Sequence, residues 1–137
     1  EKQELQALAR SSGFADRIVF TGYRYHAGTY ISNAEALLIS SKTEGLPLTL
    51  LEAMRVQTPV VSTPVGEIPN VLEHGKFGYL SADTSEASVD QALAELLANP
   101  AQACEKAGLA YERFLAEYTS DQMNERYRTL YQEVLAP

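Results

Sequence analysis

The stretch ALLISSKTEGLPLTLLEAM, Ala36 to Met54, joins a short continuous apolar run to a helical pattern through a polar turn. A run such as ALLIS, Ala36 to Ser40, suits a strand covered on both faces, which is the habit of parallel sheets. Pro47 fits the first helical turn, where its missing N–H costs nothing and its fixed φ helps the helix start. Strand, turn and helix in that order predict one unit of an open parallel α/β sheet.

The alternation extends in both directions. RIVFTG, Arg17 to Gly22, reads as a buried strand upstream, with PVVST, Pro59 to Thr63, and a weaker one at Gly78 to Leu80 downstream. Helical segments fall near Ala27 to Asn33, Leu48 to Gln57 and Pro69 to Glu73, so the crossovers are expected to be right-handed. The first residues, EKQELQALARSSG, read as a helix with Leu5 and Leu8 facing inward and Gly13 ending it. A helix ahead of any strand is unusual in such a sheet, and the expectation is a fragment that begins inside a domain.

Three longer helices follow. Ser85 to Ala98 places Val89, Leu93, Leu96 and Leu97 on one face, with Asp83 and Glu86 spaced as a capping box. The next spans Pro100 to Glu117. The last starts at Thr119 with Gln122 three residues on, and aligns Met123, Tyr127, Leu130, Tyr131 and Val134 as a core stripe. The expected fold is an open parallel sheet with helices on both faces, amino-terminally truncated and with a helical carboxy-terminal tail. It forms a single, incomplete domain over 1–137, with an αβ core at 1–80 and helices at 81–137.

Composition narrows the class. The 137 residues are 45% apolar and 21% charged, ordinary for a globular domain. A net charge of −7 argues against nucleic acid, whose binding rests on lysine and arginine neutralising phosphates. Apolar runs such as Ala36 to Ile39 are too short to cross a bilayer. The single Cys104 cannot form an internal disulfide and reads as a small apolar filler. His26 and His74 fall in turns, and no cluster of His, Cys and Asp suggests a metal site.

Glu44 and Glu52 lie eight residues apart across the turn that opens the helix. A helix start offers unpaired N–H groups and a positive dipole end, which attract phosphate oxygens without any lysine. Carboxylates instead accept hydrogen bonds from hydroxyls. A phosphate flanked by hydroxyls describes a nucleotide-diphosphate sugar, bound through local donors because the overall charge repels anions. The competing reading makes Glu44 a solvated loop acid and Glu52 an ordinary surface helix residue.

From Gly13 onward the chain resembles the carboxy-terminal, donor-binding half of family-4 retaining glycosyltransferases of the GT-B fold. The matching pieces are DRIVFTGY, ALLISSKTEGLPLTLLEAM, TPVVSTPVGEIPNVLEHGKFGYL and the closing YTSDQMNERYRTLYQEVL. The resemblance implies that Glu44, counted as catalytic though not as a nucleophile, contacts the donor sugar's hydroxyls, and that Glu52 holds the ribose. It implies that the amides of Gly45, Leu46, Leu48 and Thr49 face the sugar and diphosphate. Gly22 and Tyr23 match a loop whose backbone meets the base, although a plain tight turn explains them equally. Gly66 matches a glycine near the site, while Glu67 and Asn70 stand where glycine and glutamate are usual, which puts the acceptor side of that loop in question.

The implied reaction moves a hexose from a nucleotide-diphosphate sugar to an acceptor hydroxyl with retention, in polysaccharide or glycolipid biosynthesis. No cofactor or metal is implied. An arginine and a lysine that neutralise the diphosphate would precede Glu1, and an amino-terminal domain would bind the acceptor sugar or lipid-linked sugar; the fragment alone is expected to be inactive. The implied setting is cytoplasmic, with peripheral contact at the inner face of the membrane where the acceptor is lipid-linked. A non-catalytic nucleotide-sugar-binding or protein-docking module is the alternative, and a sugar-nucleotide epimerase fits less well.

Overall fold

The structure, a computed structural model, describes residues 2–135. Helix α1 (Lys2–Ser11) leads through a 3-10 turn at Ala15–Arg17 to α2 (Ala27–Ser32) and β1 (Leu37–Ile39). Then come α3 (Leu48–Arg55), β2 (Val60–Ser62), α4 (Ile68–Val71), a 3-10 turn at Glu73–Gly75 and β3 (Tyr79–Leu80). The long helices α5 (Glu86–Ala98), α6 (Pro100–Glu117) and α7 (Ser120–Leu135) close the chain.

The three strands form a parallel sheet in the order β1-β2-β3, with Leu38 opposite Val61 and Ser62 opposite Leu80. All three residues of β2 are buried, as a central parallel strand requires. On one side Ile39 and Val60 pack with Leu50, Ala53 and Met54 of α3, Ile68 and Val71 of α4, and Ala110 of α6. On the other, Val61 and Tyr79 meet Ala92 and Leu96 of α5 and Ala103 of α6. The expected αβ architecture is therefore present, with helices on both faces.

RIVFTG does not join the sheet. Ile18, Val19 and Phe20 are 41, 80 and 40% exposed, and β1 is an edge strand among the described residues. A β-rich apolar run becomes a strand only when a neighbour pairs with its backbone, and no described segment does so here. Leu5 and Leu8 are also exposed, and Ala9 is the residue α1 buries. Gly13, at φ +78°, does follow the helix end as expected.

The stripe on α7 is not core. The helix has no buried residue, and Met123, Tyr127, Leu130, Tyr131 and Val134 are all at least half exposed. Helical spacing identifies a common face but not the presence of something to cover it. Leu97 likewise points outward, its place on the inner face of α5 taken by Ala92. Cys104 is exposed rather than a packed filler.

The starts of the three long helices follow side-chain chemistry. The Asn99 side chain accepts from the Gln102 amide at 3.2 Å, and Thr119 accepts from the Gln122 amide at 3.3 Å. The cap of α5 is Ser85, which accepts from the Ser88 amide at 3.3 Å, so the Asp83–Glu86 box gives way to a cap two residues later. Asp83 accepts instead from the Ser85 amide at 2.8 Å. Hydrogen bonds from the Ser85 side chain and amide, and then from the Ser88 side chain, hold the Asp83 carboxyl below its usual range.

A carboxyl whose folded pKa is lowered stabilises the fold above its unfolded value, and that contribution fades as pH falls through the folded value. The Tm difference between wild type and Asp83→Asn is therefore expected to be largest at neutral pH and to shrink below about pH 4. A difference that stays constant from pH 7 to pH 3 would contradict this role.

Candidate functional site

Helix α3 sorts its residues by face. Leu50, Ala53 and Met54, at i, i+3 and i+4, are essentially inaccessible to solvent. Thr49, Glu52 and Arg55 recur every three residues on the outward side and line a cavity of about 620 Å³. The opposite wall comes from Tyr23, Arg24, Tyr25 and the start of α2. Thr58 donates to the Ile31 carbonyl at 2.7 Å, tying the end of α2 to the approach of β2 and so fixing that wall. Glu52 is half-buried in the cavity, with no hydrogen bond or ion pair among the described residues.

Glu44 does not line this cavity. It stands exposed in the loop after β1, where its Oε1 accepts from the Ser41 hydroxyl at 2.6 Å. That loop is fastened to the one after β2. Thr63, itself buried, donates through Oγ1 to the Ser41 carbonyl at 2.6 Å, and the Glu67 amide donates to the Gly45 carbonyl at 2.9 Å. Gly66, at φ +56°, lies so close that a Cβ there would collide with the carbonyl oxygens of Glu44 and Gly45. Both loops leave the carboxyl ends of parallel strands, the edge at which open α/β sheets bind ligands.

Between these two acids lies the start of α3. Pro47 precedes the helix with φ −70° and ψ 124° and makes no side-chain cap. The amides of Gly45, Leu46, Leu48 and Thr49 have no acceptor among the described residues. They form a run of free donors at the positive end of the helix dipole, suited to an anion. The side chains of Leu46 and Leu48 turn away, into an apolar groove shared with Tyr118, Met123, Tyr127 and Leu130. Only the backbone of these two leucines is available to a polar ligand at the helix start.

The sequence-predicted residues thus divide into two adjoining groups. Tyr23, Thr49 and Glu52 meet around the cavity, while Glu44, Gly45 and Gly66 meet at the clasp between the loops. Gly22 adopts a positive φ of +62° immediately ahead of Tyr23. Glu67 and Asn70, the two departures from the family pattern, pair with each other, the Asn70 amide donating to the Glu67 carboxylate at 3.0 Å. Arg55 and Tyr25 were not singled out in the sequence. Helical spacing from Glu52 would have found Arg55, whereas nothing local in the sequence places Tyr25 opposite it. His74 is exposed, and His26 is an exposed wall residue of the cavity.

A family model described as glycosyl transferases group 1 matches residues 1–99. The chain belongs to that family. It is 32% identical over 130 residues to N-acetyl-alpha-D-glucosaminyl L-malate synthase of Bacillus anthracis, covering 93% of this chain and 34% of that protein. Its fold superposes on sucrose-phosphate synthase from Thermosynechococcus elongatus with a TM-score of 0.83 at 26% identity, covering 96% of this chain and 34% of the other. A structure of HepE from Anabaena, solved in complex with UDP, gives a TM-score of 0.85 at 19% identity, over 96% of this chain and 36% of HepE. The chain spans about a third of the length of these relatives and corresponds to the carboxy-terminal domain of a GT-B glycosyltransferase. Among the described residues, no helix is long and apolar enough to cross a membrane.

Proposed function

We propose that this group 1 domain is the donor-binding half of a retaining hexosyltransferase, holding a nucleotide-diphosphate sugar across the start of α3. The observation that carries the reading is the run of free amides at that helix start, bounded by Glu52 in its cavity and by Glu44 in the clasped loop. In this reading Glu52 accepts hydrogen bonds from the ribose hydroxyls. The amides of Gly45, Leu46, Leu48 and Thr49 meet the diphosphate and sugar, and Glu44 grips the sugar's hydroxyls. Gly22 and Tyr23 lie toward the base.

As the glycosidic bond breaks, negative charge grows on the departing diphosphate. Fixed amide dipoles stabilise that charge without reorganising. Glu44 and Glu52 are not an acid–base pair of the glycosidase kind, which must flank the scissile bond. The reaction needs no metal in this scheme. An acceptor sugar or lipid-linked sugar is bound by another part of the protein, in polysaccharide or glycolipid assembly at the cytoplasmic side of a membrane.

The test is a titration of the natural full-length protein with UDP- and GDP-sugars and with bare UDP and GDP, followed by NMR of any product to read its anomeric configuration. Retention with release of nucleoside diphosphate is expected. Binding of nucleotide sugar without transfer to any acceptor would favour a non-catalytic module, and inversion would remove the retaining assignment.

Ser41 supplies a finer check. Its hydroxyl orients the Glu44 carboxylate, so Ser41→Ala is expected to weaken nucleotide-sugar binding by about 0.5–1.5 kcal/mol, the net value of one hydrogen bond. Bare nucleoside diphosphate should bind as before, because Glu44 faces the sugar. Equal weakening of both ligands would place Glu44 elsewhere on the donor.

A further inference from the structure

Glu67 and Asn70, the two departures from the family pattern, have no task in holding ribose or diphosphate, yet they stand at the Glu44 end of the site. Glu67 follows Gly66 directly, and its amide donates to the Gly45 carbonyl at 2.9 Å. Its backbone is therefore fastened to the residue after Glu44, on the rim where the loops following β1 and β2 meet. Glu52 lies at the other end of the amide run, in its own cavity.

The exposed Glu67 carboxylate is held by its neighbour: Asn70 Nδ2 donates to Oε2 at 3.0 Å, while Oε1 has no partner among the described residues. A dipole explanation is weak here. Glu67 precedes α4, but that helix is a single turn of four residues and the Glu67 side chain makes no cap hydrogen bond to it. Neither Glu67 nor Glu44 is neutralised. Glu44 accepts from the Ser41 hydroxyl, and Lys42, two residues earlier, is exposed and pairs with neither acid.

We propose that Glu67 selects the class of sugar transferred, admitting a neutral hexose and rejecting a uronic acid. The inference rests on the placement of the donor sugar at Glu44. An ionised carboxylate accepts from hydroxyls and has no proton to give another carboxylate. A uronate carries a carboxylate in place of the hexose's primary alcohol, so it brings a further negative charge to a rim that already holds two. Like charges set against each other at a binding surface cost affinity and exclude the wrong ligand. The remaining N–H of Asn70 is one neutral donor against two full charges, and the net charge of −7 adds to the repulsion.

The experiment is calorimetric titration of the natural full-length protein, and of its Glu67→Gln and Glu67→Lys variants, with ligand pairs that differ at that carboxylate. The pairs are UDP-glucose with UDP-glucuronate and GDP-mannose with GDP-mannuronate, with bare UDP and GDP alongside. Wild type is expected to bind the hexose about tenfold or more tighter than its uronate, by a ratio that shrinks as salt is raised. Glu67→Gln, which keeps the size and removes the charge, should narrow the ratio by tightening uronate binding, and Glu67→Lys should narrow it further. Bare nucleoside diphosphate should bind all three proteins alike. A ratio unchanged by both variants would overturn the proposal, as would a ratio narrowed only through weaker hexose binding. So would a uronate bound by wild type as tightly as its hexose; loss of UDP or GDP affinity in Glu52→Ala would then leave the donor reading standing. Failure of every nucleotide and nucleotide sugar to bind wild type would remove both readings.

Discussion

Replacing Gly66 with alanine is expected to destabilise the protein by about 2–5 kcal/mol. An L residue held at φ +56° costs roughly 1–2 kcal/mol. The added Cβ would overlap the carbonyl oxygens of Glu44 and Gly45 and come within 2.8 Å of the Glu44 carbonyl carbon. These atoms are backbone, pinned by the bonds from Thr63 to Ser41 and from Glu67 to Gly45, so they cannot swing aside as a side chain would. Overpacking of that kind adds roughly 1–3 kcal/mol. Gly22→Ala provides the control: its φ is +62°, but nothing lies within 4 Å of the added Cβ. Denaturant unfolding of both variants separates conformational strain from collision. A Gly66→Ala protein no less stable than Gly22→Ala would mean that the clasp can open without cost. Where the variant remains folded, its nucleotide-sugar affinity should also fall, because the displaced loop carries Glu44.

Glu52→Ala is expected to weaken nucleotide binding by about 1.5–3 kcal/mol, the value of a hydrogen bond to a charged group. That corresponds to roughly 10- to 150-fold in Kd. The carboxylate is half-buried in the cavity and lacks any partner among the described residues, so the substitution breaks no internal bond and should leave stability nearly unchanged. Because ribose is common to every nucleotide donor, bare nucleoside diphosphate and nucleotide sugar should lose affinity together. This common loss distinguishes Glu52 from Ser41, whose removal should be felt only when a sugar is attached. Glu52→Gln keeps an acceptor without the charge and should fall between wild type and alanine. Unchanged affinity in the alanine variant would sink the ribose assignment.

Much of the fold is legible along the chain. ALLIS, PVVST and GYL contain the three strands, and α6 spans the expected Pro100 to Glu117. Thr119 caps the last helix as its spacing with Gln122 implies. These features depend on contacts within a few residues, which sequence order already brings together. RIVFTG fails as a strand and α7 fails as a core helix for one shared reason. Each has the right pattern for burial, but burial needs a partner, and a pattern does not specify whether that partner is present.

The site divides along the same line. Glu44, Glu52, Pro47 and the amide run are properties of one strand–turn–helix unit, so the sequence by itself determined their order and their placement around a helix start. Tertiary structure alone decided that Gly66 closes against Glu44 and Gly45, and that Arg24 and Tyr25 face Arg55 across a cavity. Twenty-two residues separate Glu44 from Gly66, and thirty-one separate Arg24 from Arg55. No local preference spans such gaps. They are closed when the parallel strands pair and α3 buries Leu50, Ala53 and Met54, which fixes the outward face on which Glu52 and Arg55 stand.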